Sequence, residues 1–124
     1  MSSNQQLPPF VQEQLARFQQ TQQNFQSIQM QKQQLESEKH ETEKALEELK
    51  KASDDESVFK HAGSIMIKSN KKDLIEELEE KKELAKTKAS LLAKQEERLK
   101  TGLKEQETKI QEMIKKPPST GIQK

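Results

Sequence analysis

The sequence predicts an all-α protein: a long antiparallel two-helix coiled coil with one β-hairpin at the connection, the hairpins assembling into an oligomeric β-barrel. Three observations predict it. The 124 residues are 35% charged and 29% hydrophobic, and Leu, Ile, Val and Phe make up only about a fifth of them, too little for a sizeable compact core. The 22 Lys and Arg nearly cancel the 21 Asp and Glu, so the self-repulsion typical of a disordered chain is missing, and solvated helices with a thin apolar seam fit instead. Proline occurs only as Pro8-Pro9 and Pro117-Pro118. Because proline suits helix starts and ends but breaks interiors, the two pairs bracket one structured region.

The elements follow in order within a single domain, 1–124. Residues 1–7 form a polar tail. Residues 8–52 form the first helix, in which Val11, Leu15, Phe18, Gln22, Phe25 and Ile28, then Lys32, Leu35, Lys39, Thr42, Leu46 and Leu49, step by three or four. The second helix, 71–116, repeats the pattern through Leu74, Leu78, Lys81, Ala85, Lys88 and Leu92, then Gln95, Leu99, Leu103, Gln106, Ile110 and Met113. Such heptad seams are the signature of coiled coils. Glu47–Lys51, Glu77–Lys81, Glu105–Lys109 and Glu112–Lys116 supply helix-favouring pairs, and Asn70 with Asp73 caps the second helix. Equal lengths of about 45 residues around a short connection predict an antiparallel pair, each helix roughly 65 Å long. The first seam slips phase at Phe25 and the second at Leu99, positions that lie level if Leu49 faces Leu74. Residues 117–124 form a second tail.

The connection, 53–70, carries Val58-Phe59 and Ile65-Met66-Ile67 around Gly63-Ser64, which reads as a β-hairpin. Its register is left open; with Ala62-Gly63 at the turn, Val58 pairs with Ile67 and Phe59 with Met66. Apolar side chains then point to both faces, and both edges are open to further strands. A two-stranded hairpin is marginal alone, and a slim coil cannot cover it, so hairpins from several chains are expected to join in a shared sheet or barrel.

Several classes of chemistry are excluded by what the sequence lacks. No apolar run approaches the roughly 20 residues needed to cross a bilayer, and the N-terminus has no signal-peptide pattern. There is no cysteine, which fits a reducing cytoplasmic compartment. Net charge near zero and interleaved lysines, without Trp or Tyr, speak against nucleic acid and acidic membranes. No glycine-rich phosphate loop is present. His40 and His61 have no companion ligands at metal spacing. The glutamate pairs at 76–77, 79–80 and 96–97 have no pocket to tune them for acid–base work. The chain is expected to be neither an enzyme nor a carrier of a cofactor or metal.

The end of the coil away from the hairpin differs in character. Residues 5–35 are glutamine-rich, with Glu13, Arg17 and Lys32 as their only charges, yet hold Leu7, Phe10, Val11, Leu15, Phe18 and Phe25. Leu103, Ile110, Met113 and Ile114 lie opposite. Apolar surface rimmed by neutral polar groups marks binding sites, and Phe10, Val11, Met113 and Ile114 are the expected exceptions to a purely packed seam. Two functions fit: an oligomeric holdase whose coil ends grip unfolded chains, or a structural coiled coil that tethers other components. The two-faced hairpin favours the first.

The run from Ala45-Leu46-Glu47-Glu48-Leu49 through Asp54-Asp55, Val58-Phe59-Lys60 and Gly63-Ser64-Ile65-Met66-Ile67-Lys68 to Asp73-Leu74-Ile75-Glu76-Glu77-Leu78 resembles the β-class subunit of prefoldin, archaeal in type. The resemblance implies an ATP-independent chaperone, a hexamer of two α-class and four β-class subunits. Hairpins build its barrels, coils hold unfolded clients, and clients pass to a group II chaperonin. It implies assembly residues Val58, Phe59, Ile65, Met66 and Ile67, and client-facing residues Phe10, Val11, Leu15, Ile110, Met113 and Ile114, to which Phe18 is added on the same seam.

Overall fold

The computed structural model describes residues 7–115, with the element order α1 (Pro9–Lys51), β1 (Val58–Ala62), β2 (Ile65–Ser69) and α2 (Lys71–Lys115). The expected tails, apart from Leu7, and the Pro117-Pro118 stop lie outside the described residues. Two compact units share these elements, residues 1–30 with 93–124 and residues 31–92.

In the first unit α1 starts at Pro9, whose missing amide costs nothing in a first turn. The Pro8 carbonyl accepts from the amides of Val11 and Gln12, both at 3.0 Å. The Gln12 side chain donates back to the Leu7 carbonyl at 2.6 Å. Val11 and Ile110 are the buried apolar residues among those described in this unit, and Leu15, Phe18, Phe25, Ile28, Leu99, Leu103 and Met113 are half-buried. Thr21, not Gln22, turns inward, because its hydroxyl satisfies itself on the Arg17 carbonyl at 2.9 Å whereas a glutamine carboxamide needs outside partners. On α2, Glu96 rather than Gln95 lies at the seam. The α1 slip therefore falls at Phe18, and α2 steps regularly through Leu99. The expected shared slip at Phe25 and Leu99 is not present.

In the second unit Leu46 and Leu74 are buried together with Thr42, whose hydroxyl donates to the Glu38 carbonyl at 2.8 Å. Lys50 reaches Glu79 at 3.7 Å and Lys82 reaches Glu43 at 3.9 Å. Rising numbers on one helix meet falling numbers on the other, so the two segments run antiparallel. Lys82, not Lys81, lies half-buried and Lys88 is exposed, since a lysine can lay its stem along a seam only where a carboxylate or water receives its head. Two of the expected i,i+4 pairs are replaced: Lys51 pairs with Glu48 at 3.7 Å and Glu77 with Lys60 at 3.1 Å, while Lys116 of the expected Glu112–Lys116 pair lies outside the described residues.

Two caps make the helix ends of this unit. The Asn70 side chain accepts from the Asp73 amide at 2.9 Å and donates to the Asp73 carboxylate at 3.0 Å, as the sequence predicts. At the C-terminus of α1, Lys71 donates to the carbonyls of Ala52 at 2.8 Å and Lys50 at 3.4 Å, and pairs with Asp54 at 3.4 Å. The first residue of α2 thus closes the end of α1.

The hairpin register is Val58↔Ser69, Phe59↔Lys68, Lys60↔Ile67, His61↔Met66 and Ala62↔Ile65. This corrects the Val58–Ile67 and Phe59–Met66 pairing. Gly63 carries φ +66° and no other described residue has positive φ, the pattern of a type II′ turn with glycine in its first central position. That chemistry selects Gly63-Ser64, not Ala62-Gly63, as the two-residue loop.

Candidate functional site

The register sorts the hairpin side chains. One face carries Val58, Lys60, Ala62, Ile65, Ile67 and Ser69; the other carries Phe59, His61, Met66 and Lys68. Val58, Lys60 and Ser69 are half-buried, and the Lys60 ammonium is held between both oxygens of Glu77 on α2, at 3.1 and 3.3 Å. The first face therefore leans on its own helix near the base of the hairpin. The rest is bare: Phe59 is 51% exposed, Ile65 59%, Met66 60% and Ile67 42%. Of the five expected assembly residues, only Val58 is half-buried within its own chain, and the other four are exposed.

The turn before the hairpin is built from polar contacts. The Glu56 carboxylate accepts from the Ser53 amide and the Asp55 carboxylate from the Ser53 hydroxyl, each at 2.8 Å. This hydroxyl, helped by the backbone amide of Asp55, holds the Asp55 carboxyl below its ordinary value of 3.8.

The candidate client-binding residues all lie in the first unit, where the structure divides them. Phe10 and Ile114 are exposed, Ile114 to 57%. Leu15, Phe18 and Met113 are half-buried. Val11, at 2% exposure, and Ile110, at 7%, are interior. Val11 was expected among the outward-facing exceptions and is not, because the seam phase carries it inward where its neighbour Phe10 points out. Leu7, exposed beside Phe10, joins the outward group. A shallow cleft of about 320 Å³ in the same unit is lined by Asn24, Ser27, Ile28, Gln95, Arg98 and Leu99.

Three exposed apolar residues escaped the sequence reading: Met30, Leu84 and Leu91. Leu84 and Leu91 each stand one residue before a seam position, Ala85 and Leu92, so a strict heptad frame would have placed them outside. Among the described residues no group of three His, Asp or Glu side chains is placed to hold a metal ion. None of the described helices is long and apolar enough to cross a membrane.

Two long helices separated by a two-stranded antiparallel hairpin with bare apolar faces define a subunit-type fold. Residues 12–117 match the family model described as prefoldin subunit, and the chain belongs to that family, a family of chaperone subunits. Curated relatives of the chain include prefoldin beta subunits. The prefoldin subunit beta of Methanococcus vannielii is 60% identical over 108 residues, 87% of this chain and 95% of the relative. That of Archaeoglobus fulgidus is 41% identical over 108 residues, 87% of this chain and 93% of the relative. The crystal structure of the prefoldin beta subunit from Thermococcus strain KS-1 superposes with a TM-score of 0.74 at 35% identity, covering 93% of this chain and 100% of that one.

Proposed function

We propose that the chain works as a β-class subunit of a cytoplasmic, ATP-independent holdase. It assembles with α-class subunits through its hairpin, holds unfolded proteins at the coil ends and delivers them to a group II chaperonin. The observation that carries the reading is the bare hairpin. Phe59, Ile65, Met66 and Ile67 present apolar surface on both faces of a two-stranded sheet that is too small to be stable alone. In an antiparallel ladder alternate residues turn their backbone groups outward. With a two-residue loop, these are Phe59 and His61 on β1 and Met66 and Lys68 on β2, so each edge offers donors and acceptors to a neighbouring strand. Strands from other subunits satisfy both needs at once.

The coil ends supply the grip. Leu7, Phe10 and Ile114 are exposed, Met113, Leu15 and Phe18 of the same unit are half-buried, and Val11 and Ile110 are buried. Weak apolar contacts from several subunits act together through high effective concentration. The assembly half is tested by solution mass, for the chain alone and mixed with α-class subunits. A six-subunit mass on mixing, lost in the Phe59→Asp/Ile67→Asp double variant with its helical circular dichroism intact, is expected. A dimer or an open-ended filament in every mixture would instead identify a structural tether. The holding half is tested with Phe10→Ser/Ile114→Ser, which should assemble normally but suppress client aggregation poorly; undiminished suppression would place the grip elsewhere.

A further inference from the structure

We propose that the outward face of α1 in the first unit binds extended, unfolded polypeptide through its backbone groups and does so without regard to the client's charge. This rests on the client-holding reading and names the chemistry that is recognised. Two observations carry it. Residues 7–30 contain only Glu13 and Arg17 as charged groups, and these two neutralise one another at 3.2 Å. Residues 93–115 of the same unit contain six basic and five acidic residues. The charge thus lies almost wholly on one helical segment, and the other presents carboxamides.

The second observation is their arrangement. Gln19, Gln23, Gln26 and Met30 follow one another by four, three and four residues, which puts them on one face of the helix. All are exposed, and none of the three glutamines has a partner among the described residues. A glutamine carboxamide offers the same carbonyl acceptor and N–H donor as a peptide group. Gln12 already uses this chemistry, donating to the Leu7 carbonyl at 2.6 Å.

The spacing is close to that of an extended occupant. At a rise of about 1.5 Å per residue the row steps by about 6.0, 4.5 and 6.0 Å, while an extended chain turns the same backbone side outward every two residues, about 6.6 Å. Flexible glutamine side chains span the difference, largest at about 2 Å between Gln23 and Gln26, and Met30 adds an adaptable apolar contact at the end of the row. A folded protein or a preformed helix has its backbone groups already paired, so the row discriminates unfolded segments by their unpaired amides. Charged side chains in the same places would sort clients by sign; carboxamides do not.

The test uses the full chain in the oligomer it forms and fluorescence anisotropy of labelled unstructured peptides. The peptides share apolar content but are net positive, neutral or net negative, and a backbone N-methylated copy of the neutral one is included. Wild type should bind the three unmethylated peptides with dissociation constants within about twofold of one another, unchanged by salt that screens exposed charges. The methylated peptide should bind more weakly. Gln19→Ala/Gln23→Ala/Gln26→Ala favours the helix, which circular dichroism verifies, yet should weaken all three peptides alike, by about fivefold for each backbone bond lost. Gln19→Glu/Gln23→Glu/Gln26→Glu should make binding salt-dependent and reject the negative peptide. Three results overturn the proposal: charge- or salt-dependent binding by wild type, unchanged or tighter binding by the alanine variant, and equal binding of the methylated peptide. In these three cases client holding itself stands. A wild type that binds none of the peptides refutes the holding reading and this inference together.

Discussion

Replacing Lys71 by methionine tests whether the first residue of α2 closes the end of α1. The ammonium donates at 2.8 Å to the Ala52 carbonyl and at 3.4 Å to that of Lys50, with the Asp54 carboxylate 3.4 Å away. The side chain is 20% exposed while Asp54 is almost wholly in water, so the carbonyl contacts dominate and the ion pair adds little. A hydrogen bond from a charged donor contributes about 1.5–3 kcal/mol, and a cation at a helix C-terminus about 0.3–1 kcal/mol. Methionine keeps the packed stem and removes only the head. Water can reach the freed carbonyls from the exposed side, which puts the loss near the lower end, about 2 kcal/mol. For a chain of this size that corresponds to a fall in Tm of roughly 6–8 °C, read by far-UV circular dichroism at fixed protein concentration. The exposed neighbour Lys72 is the control, and Lys72→Met should move Tm by less than about 2 °C. Equal shifts in the two variants would refute the capping argument, since a generic loss of positive charge would then explain both.

Gly63→Ala meets no steric obstacle, as no atom lies within 4 Å of the added Cβ, but φ +66° penalises any side chain. It should cost about 1–2 kcal/mol locally and speed hydrogen exchange of the hairpin amides, leaving those of the helices unchanged. Ser53→Ala removes the hydroxyl that holds Asp55 below 3.8, so the Asp55 carboxyl should rise toward 3.8 in an NMR titration. Because the folded value is depressed, the associated stability is present above that pH and fades as pH falls through the folded value; wild type and variant should therefore converge in the acid range. Leu46→Ala, at a site only 4% exposed, should cost about 2–3 kcal/mol in urea unfolding, whereas Leu84→Ala, at 62% exposure, should stay within about 0.5 kcal/mol of wild type.

The parts of the fold with a strong chemical contrast were legible in the sequence. Leu46, Leu74, Val11 and Ile110 mark their helix faces by hydropathy, and the β-branched residues around Gly63 mark the hairpin. Where the seam passes through polar positions the contrast vanishes. Thr21 against Gln22 is decided by a hydroxyl that satisfies itself on its own helix, Lys81 and Lys82 are the same side chain and only the place of Glu43 on the other helix separates them, and Gln95 and Glu96 are almost isosteric, so the periodicity slid by one residue and a false slip arose at Leu99. The turn chemistry contained the register, since a type II′ loop needs glycine first, but counting apolar pairs outward from Ala62 masked it. Lys71 was invisible for a different reason. Its carbonyl partners lie about 20 residues back, and nothing local distinguishes it from Lys72. At the coil end, Phe10 and Val11 are both apolar and adjacent, and the seam phase alone, not hydropathy, carries Val11 inward and leaves Phe10 exposed.

The distribution of apolar surface ties stability to assembly. Among the described residues the buried apolar side chains are Val11, Leu46, Leu74 and Ile110, while the hairpin leaves four comparably large ones between 42% and 60% exposed. Fully burying such a side chain contributes about 1.5–3 kcal/mol, so covering the exposed halves of Phe59, Ile65, Met66 and Ile67 contributes roughly 3–6 kcal/mol per chain before the cost of association. That is of the same order as the whole stability of a small domain. Partners that bind only the folded hairpin stabilise it by mass action, so the thermal transition of the assembled protein should move to higher temperature as protein concentration rises. The Phe59→Asp/Ile67→Asp variant should lose that dependence and unfold at one temperature regardless of concentration. A wild-type transition equally indifferent to concentration would mean that these side chains stay bare in solution, and the hairpin would then lose its role as the joint.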